Sequence, residues 1–170
     1  KEAIRFAAGL MALGIMAGDR VALISEGKNN WVVGELGVLH AGAVCVPLSV
    51  KLETEHDITF RISHSDTLMV LASDQQIAKL RPMKDKMPAV KRYILLDNVE
   101  HAGEDEIYID AVKELGDALL DTDKKRVEER IAAVEPDTLA NISYTSGTTA
   151  NPKGIMLSHD NYVCNAEQAV

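Results

Sequence analysis

Tyr144-Thr145-Ser146-Gly147-Thr148-Thr149-Ala150-Asn151-Pro152-Lys153-Gly154 is a hydroxyl-rich run, bracketed by glycines and closed by a single lysine. The apolar-leaning Leu139-Ala140-Asn141-Ile142-Ser143-Tyr144 reads as a strand leading into it, and Ile155-Met156-Leu157 as a strand leading away. Small residues between two strands let backbone N–H groups approach an anion closely, and threonine and serine hydroxyls add donors. The lysine supplies a mobile point charge suited to phosphate. The stretch therefore reads as a phosphate-cradling loop. A plain polar connector would leave its three threonines and its Pro-Lys-Gly ending unexplained.

Register excludes the mononucleotide-binding loop G-x-x-x-x-G-K-[ST], in which a glycine precedes the lysine and a hydroxyl for magnesium follows it. Aligning Gly147 and Lys153 to that pattern puts Pro152 at the second glycine and Gly154 at the hydroxyl position. Proline has no N–H to donate and glycine no side-chain oxygen. That motif also opens a helix, whereas Gly154-Ile155-Met156-Leu157 looks extended.

Outward from the loop, strands and helices alternate. Arg20–Ser25, Ala43–Leu48, Thr67–Ala72 and Lys91–Leu96 read as strands. Ile4, Ala7, Ala8, Met11 and Ala12 follow helical spacing, with Gly14 placed to end that helix. Helices are expected over Asn30–Ala41, capped by Asn29 or Asn30, over Thr54–Ser63, capped by Thr54, and over Asp74–Leu80, stopped by Pro82. Asp97–Glu106 is acidic, polar and glycine-containing, hence a surface loop. Asp110–Leu120 and Lys124–Val134 are the last helical stretches before Pro136 and the strand that feeds the loop. The alternation predicts an α/β fold with a largely parallel sheet flanked by helices on both faces.

Composition sets the class. The chain has 170 residues, 46% hydrophobic and 26% charged, which is globular rather than disordered. A net charge of −8 argues against nucleic acid as a partner, since no basic stripe exists to neutralise phosphates. Cys45 and Cys164 lack a C-x-x-C partner and lie in apolar or helical surroundings, so buried, reduced thiols are expected. No signal peptide and no unbroken apolar run of about 20 residues is seen, which gives a reduced, cytoplasmic context. Both ends fall inside helical patterns, as though residues 1–170 were cut from something longer. A cut sheet would expose apolar edges, so association or poor solubility is expected, a homodimer being one assembly in view.

The run at 144–154 resembles the signature [YF]-T-S-G-[ST]-T-G-x-P-K-G of the AMP-forming adenylate-forming superfamily. Ten of its eleven positions are met, counting the wildcard at Asn151; the departure is Ala150, where the family usually has glycine. An extra methyl there would crowd the phosphates or exclude a positive-φ backbone. Gly18-Asp19-Arg20-Val21-Ala22-Leu23, Trp31 and Leu39-His40-Ala41-Gly42-Ala43-Val44-Cys45-Val46-Pro47-Leu48 resemble the opening of the same large domain. Pro136-Asp137 and Leu157-Ser158-His159 fit as well. The similarity is greatest to the long-chain fatty acid–CoA ligase branch and covers nearly the whole chain, as part of the large N-terminal domain.

The resemblance implies a two-step reaction. A carboxylate attacks the α-phosphorus of ATP to give an acyl-adenylate and pyrophosphate, and the thiol of coenzyme A then displaces AMP. Thr145, Ser146, Gly147, Thr148 and Thr149 match phosphate contacts, Lys153 matches the phosphate-neutralising lysine, and Thr145 also matches a magnesium ligand. The implied cofactors are thus ATP, Mg and coenzyme A, with a fatty or other carboxylic acid as substrate and peripheral membrane contact through that lipid. The family's adenine and acid pockets and its C-terminal domain lie downstream, so no catalytic residue is expected within residues 1–170, which alone should be inactive. Two other readings stay open. One is an adenylation domain that loads an amino or aryl acid onto a carrier-protein thiol, and the other a non-catalytic nucleotide- or acyl-binding paralogue, to which Ala150 points.

The remaining polar residues have plainer readings. His40 lies on an apolar helix and reads as a packed or surface histidine. His56, His64 and His101 lack partners at metal-ligand spacing. His159 either lines the nucleotide site or simply starts a helix beside Asp160 and Asn161. Lys124-Lys125-Arg126, followed by Glu128 and Glu129, reads as a solvated helical face. The loop is expected to be mobile without ATP.

Overall fold

The computed structural model describes residues 1–145 and 152–168. Seven strands, β1 (Arg20–Ile24), β2 (Val44–Pro47), β3 (Thr67–Ala72), β4 (Arg92–Leu95), β5 (Glu106–Tyr108), β6 (Leu139–Thr145) and β7 (Lys153–Ser158), form one sheet in the order β5-β4-β3-β1-β2-β6-β7. All neighbours are parallel except β6 and β7, which are antiparallel. The helices are α1 (Glu2–Ala12), α2 (Asn29–His40), α3 (Glu55–His64), α4 (Asp74–Leu80), α5 (Ile109–Ala132) and α6 (His159–Gln168). This is the largely parallel, helix-flanked sheet that the alternation predicts. No described helix is long and apolar enough to cross a membrane.

Strand alternation builds two cores. Val21 and Leu23 of β1 join residues of α1, α2 and α5 on one face, while Ala22 and Ile24 join residues of α3 and α4 on the other. All four are fully buried. The apolar run Val21-Ala22-Leu23-Ile24 is thus explained by burial on both sides, with Val21, Leu23 and Ile24 each contributing about 1.5–3 kcal/mol.

Gly14 ends α1 as its sequence position suggests. It takes φ +94°, its N–H donates to Met11 O, and the next N–H, of Ile15, donates to Leu10 O. Close helix crossing accounts for two other glycines. A Cβ on Gly116 of α5 would lie 1.8 Å from Arg5 O, and one on Gly9 of α1 would lie 2.0 Å from Val112 O. Nothing larger than hydrogen fits between these helices.

Several boundaries differ from expectation. Neither Asn29 nor Asn30 caps α2; the cap position is Lys28, with no side-chain cap bond. Asn30 instead donates its amide N–H to Leu96 O at 2.6 Å, tying the start of α2 to the end of β4. Thr54 does cap α3, accepting from Asp57 N. α4 does end at Leu80, as expected before Pro82, and the proline follows in the first turn of a 3-10 segment, Arg81–Lys86, where its missing N–H costs nothing. The expected loop Asp97–Glu106 ends in a strand, since Glu106 opens β5. The two expected helices after it are one span broken at Asp123, whose φ of −148° is not helical. Cys164 is exposed, not buried, because α6 follows β7 at the end of the described sheet and buries none of its residues. Cys45 is buried, and burial pushes its thiol well up.

Candidate phosphate-binding site

β6 and β7 are the two strands expected on either side of the loop. They pair antiparallel from Leu139↔Ser158 to Thr145↔Lys153. Of the candidate phosphate ligands, Thr145 and Lys153 are described, whereas Ser146, Gly147, Thr148 and Thr149 lie outside the described residues, as do Ala150, Asn151 and the expected mobility of that segment. Thr145 and Lys153 are direct ladder partners, so their side chains leave the same face of the ribbon, with Cβ atoms about 5 Å apart. Both are exposed. A hydroxyl and an ammonium side by side at the mouth of a hairpin can grip two oxygens of one phosphate group.

The opposite face of the ribbon is apolar. Ile142 and Tyr144 pack against the core under α3. Between them sits Gly154, the partner of Tyr144. A Cβ on Gly154 would come 2.9 Å from Ile142 Cγ2 and 3.5 Å from the Tyr144 ring. The glycine that offers no hydroxyl to a metal thus has a packing role, letting two larger side chains close over the ribbon.

Tyr144 reaches α3. Its hydroxyl lies 2.8 Å from His64 Nδ1, the two rings meet edge to face at 5.8 Å, and the Arg61 guanidinium lies 5.9 Å from the Tyr144 ring centroid. His64 stands at no metal-ligand spacing, and its partner Tyr144 is 80 residues away in sequence. The usable signal was the spacing His56-Phe60-His64, which puts three rings on one helix face. Among the described residues no group of three His, Cys, Asp or Glu is placed to hold a metal ion.

His159 starts α6, its backbone N–H donating to Thr138 O. Its ring lies away from the Tyr144 face, in a groove of about 300 Å³ with Leu36, Leu39, His40, Ile131 and Val134. Burial, helped by the nearby His40, holds its pKa below the ordinary histidine value. His40 is half-buried with Nδ1 2.6 Å from Leu36 O, a packed histidine. Lys124 and Lys125 make exposed pairs with Glu128 and Glu129, the solvated face expected.

Known proteins resemble this chain in sequence and in fold. A long-chain-fatty-acid–CoA ligase of Mycobacterium bovis is 30% identical over 162 residues, covering 94% of this chain and 26% of that protein. Among solved structures, a long-chain-fatty-acid–CoA ligase of Archaeoglobus fulgidus superposes with a TM-score of 0.79 at 20% identity, over 99% of this chain and 30% of the other. An anthranilate CoA ligase in complex with anthranoyl-AMP superposes with a TM-score of 0.78 at 18% identity, over 98% of this chain and 30% of the other. At these identities the structures speak for the fold alone. The chain spans roughly a quarter to a third of the length of the curated relatives it matches, 26% and 31% in two cases. The sequence profile of the AMP-binding enzymes matches residues 1–170 from end to end, and the chain belongs to that family.

Proposed function

We propose that the protein activates a carboxylic acid with ATP, forming an acyl-adenylate and then an acyl-CoA, and that residues 144–154 grip the phosphates that leave as pyrophosphate. The observation that carries this reading is the pairing of Thr145 with Lys153 at the mouth of the hairpin that bears the signature. An acid carboxylate oxygen attacks the α-phosphorus, the bond to the bridging oxygen breaks, and the β- and γ-phosphates depart together. The thiol of coenzyme A then attacks the acyl carbon and AMP leaves. Lys153 neutralises charge that grows on the departing oxygens, and the Thr145 hydroxyl orients them; neither forms a covalent bond. Magnesium carried in with the triphosphate takes few protein ligands and keeps several waters, so a single exposed hydroxyl at Thr145 fits as one ligand. A long-chain fatty acid is the favoured substrate, on the strength of the Mycobacterium bovis relative.

The test is acid-dependent ATP–pyrophosphate exchange by the full-length protein, across carboxylic acids of increasing length and across aryl acids. Exchange is expected with long alkyl acids, and Lys153→Ala should lower it about a hundredfold. Exchange with an aryl or amino acid alone would overturn the fatty-acid assignment. No exchange with any acid, by folded protein with magnesium, would leave a non-catalytic binding protein.

A further inference from the structure

We propose that His64 is a positioning residue for the loop mouth, holding the Tyr144 ring and through it the Thr145–Lys153 pair; this rests on the phosphate-gripping role of that pair. Three observations carry it. The Tyr144 hydroxyl lies 2.8 Å from His64 Nδ1 at the last residue of α3. The His64 ring is itself held by stacking on Phe60 at 5.2 Å. Beside it the nearly buried Arg61 completes the clasp, fixed by Asp57 through its carbonyl at 2.6 Å and its carboxylate at 3.0 Å. Asp57 is in turn bonded to the cap residue Thr54.

The backbone leaves this job to side chains. β6 is in ladder register with β2 at one pair, Cys45↔Asn141, four residues before Thr145. From there to the mouth, Ile142 and Tyr144 are the described apolar side chains of β6 that pack on the core beneath α3. The signature admits phenylalanine at position 144, so the hydroxyl is not itself required in the phosphate cradle; here it is bonded to His64. The bond forms in either protonation state of the imidazole, because neutral Nδ1 accepts from the phenol and protonated Nδ1 donates to it.

Kinetics of the full-length protein test the idea with His64→Ala, His64→Asn, Tyr144→Phe and the double variant His64→Ala/Tyr144→Phe. His64→Ala should raise the KM for MgATP about three- to tenfold, the effect of one exposed hydrogen bond, with the KM for the acid unchanged and only a small fall in the thermal midpoint. Asparagine keeps a polar atom at the Nδ1 position, so His64→Asn should restore most of the loss. Tyr144→Phe should match His64→Ala, and the double variant should be no worse than either single. Equal rises in both KM values, a fall in thermal midpoint without a kinetic change, or additive single effects would overturn the proposal. If the wild type shows no exchange, the proposed function fails on its own account. The same variants are then ranked by calorimetric binding of MgATP and of pyrophosphate, where the same order is expected. A wild type that binds neither ligand overturns both ideas.

Discussion

Glu106 shows what a single residue can conceal. In sequence it closes an acidic, glycine-containing stretch and belongs with it, yet in the fold its side chain is 1% exposed. Arg81 donates to it at 2.9 and 2.7 Å, Lys84 at 2.8 Å and Gly103 N at 2.9 Å. The Arg81 guanidinium, aided by Lys84 and the Gly103 amide, holds its carboxyl down at about 2, against an ordinary value of 4.5. The folded pKa lies below the unfolded one. The stabilisation is therefore complete above the ordinary value and is lost as pH falls from about 5 towards 2, amounting to about 3 kcal/mol. Glu106→Gln should lower stability at pH 7 by about 2–3 kcal/mol and flatten the dependence of the urea midpoint between pH 5 and 3. A variant whose midpoint still falls as steeply as the wild type's would refute this. Thr54 and Gly14 were legible because their task, capping, is local. Asn30 and Glu106 were not, because their partners, Leu96 O and Arg81, stand 66 and 25 residues away.

At the scale of elements, period and punctuation carried most of the information. The apolar run of β3 and the strands on either side of the loop were readable because burial on both faces, or alternation, leaves a mark several residues long. β5 was not, having three residues with a glutamate first. Contacts between elements leave fainter marks. Gly116 looks like a helix-weakening residue in a charged helix, whereas it lies against the backbone of α1. Gly116→Ala tests this. Helix propensity alone favours alanine by about 1 kcal/mol. Overpacking against Arg5 O costs about 3 kcal/mol, so the sign should be a net loss of about 2 kcal/mol by urea denaturation. Stabilisation would mean that α1 and α5 separate at little cost.

For the whole molecule, the alternation of strands and helices foretold a parallel sheet but not its order. β1, β2, β3, β4 and β5 take the spatial order β2-β1-β3-β4-β5, with the β6–β7 ribbon added beyond β2. Order depends on which crossovers pack, and that is decided by contacts between distant helices. β7 is the last strand on its side among the described residues, and near it Ile155 is 45%, Met156 70% and Val163 52% exposed. An open edge carrying apolar side chains templates association. The 170-residue chain expressed alone should thus exceed the monomer mass by light scattering, and Met156→Lys should reduce the excess. A monodisperse wild-type monomer would contradict this. The narrow seam between β2 and β6 has a mechanical meaning. The parallel strands form a stiff slab, and the ribbon's backbone is laddered to it at one pair, with side-chain packing holding the rest of its length. A pull on the hairpin is carried sideways, through an aromatic ring, into α3.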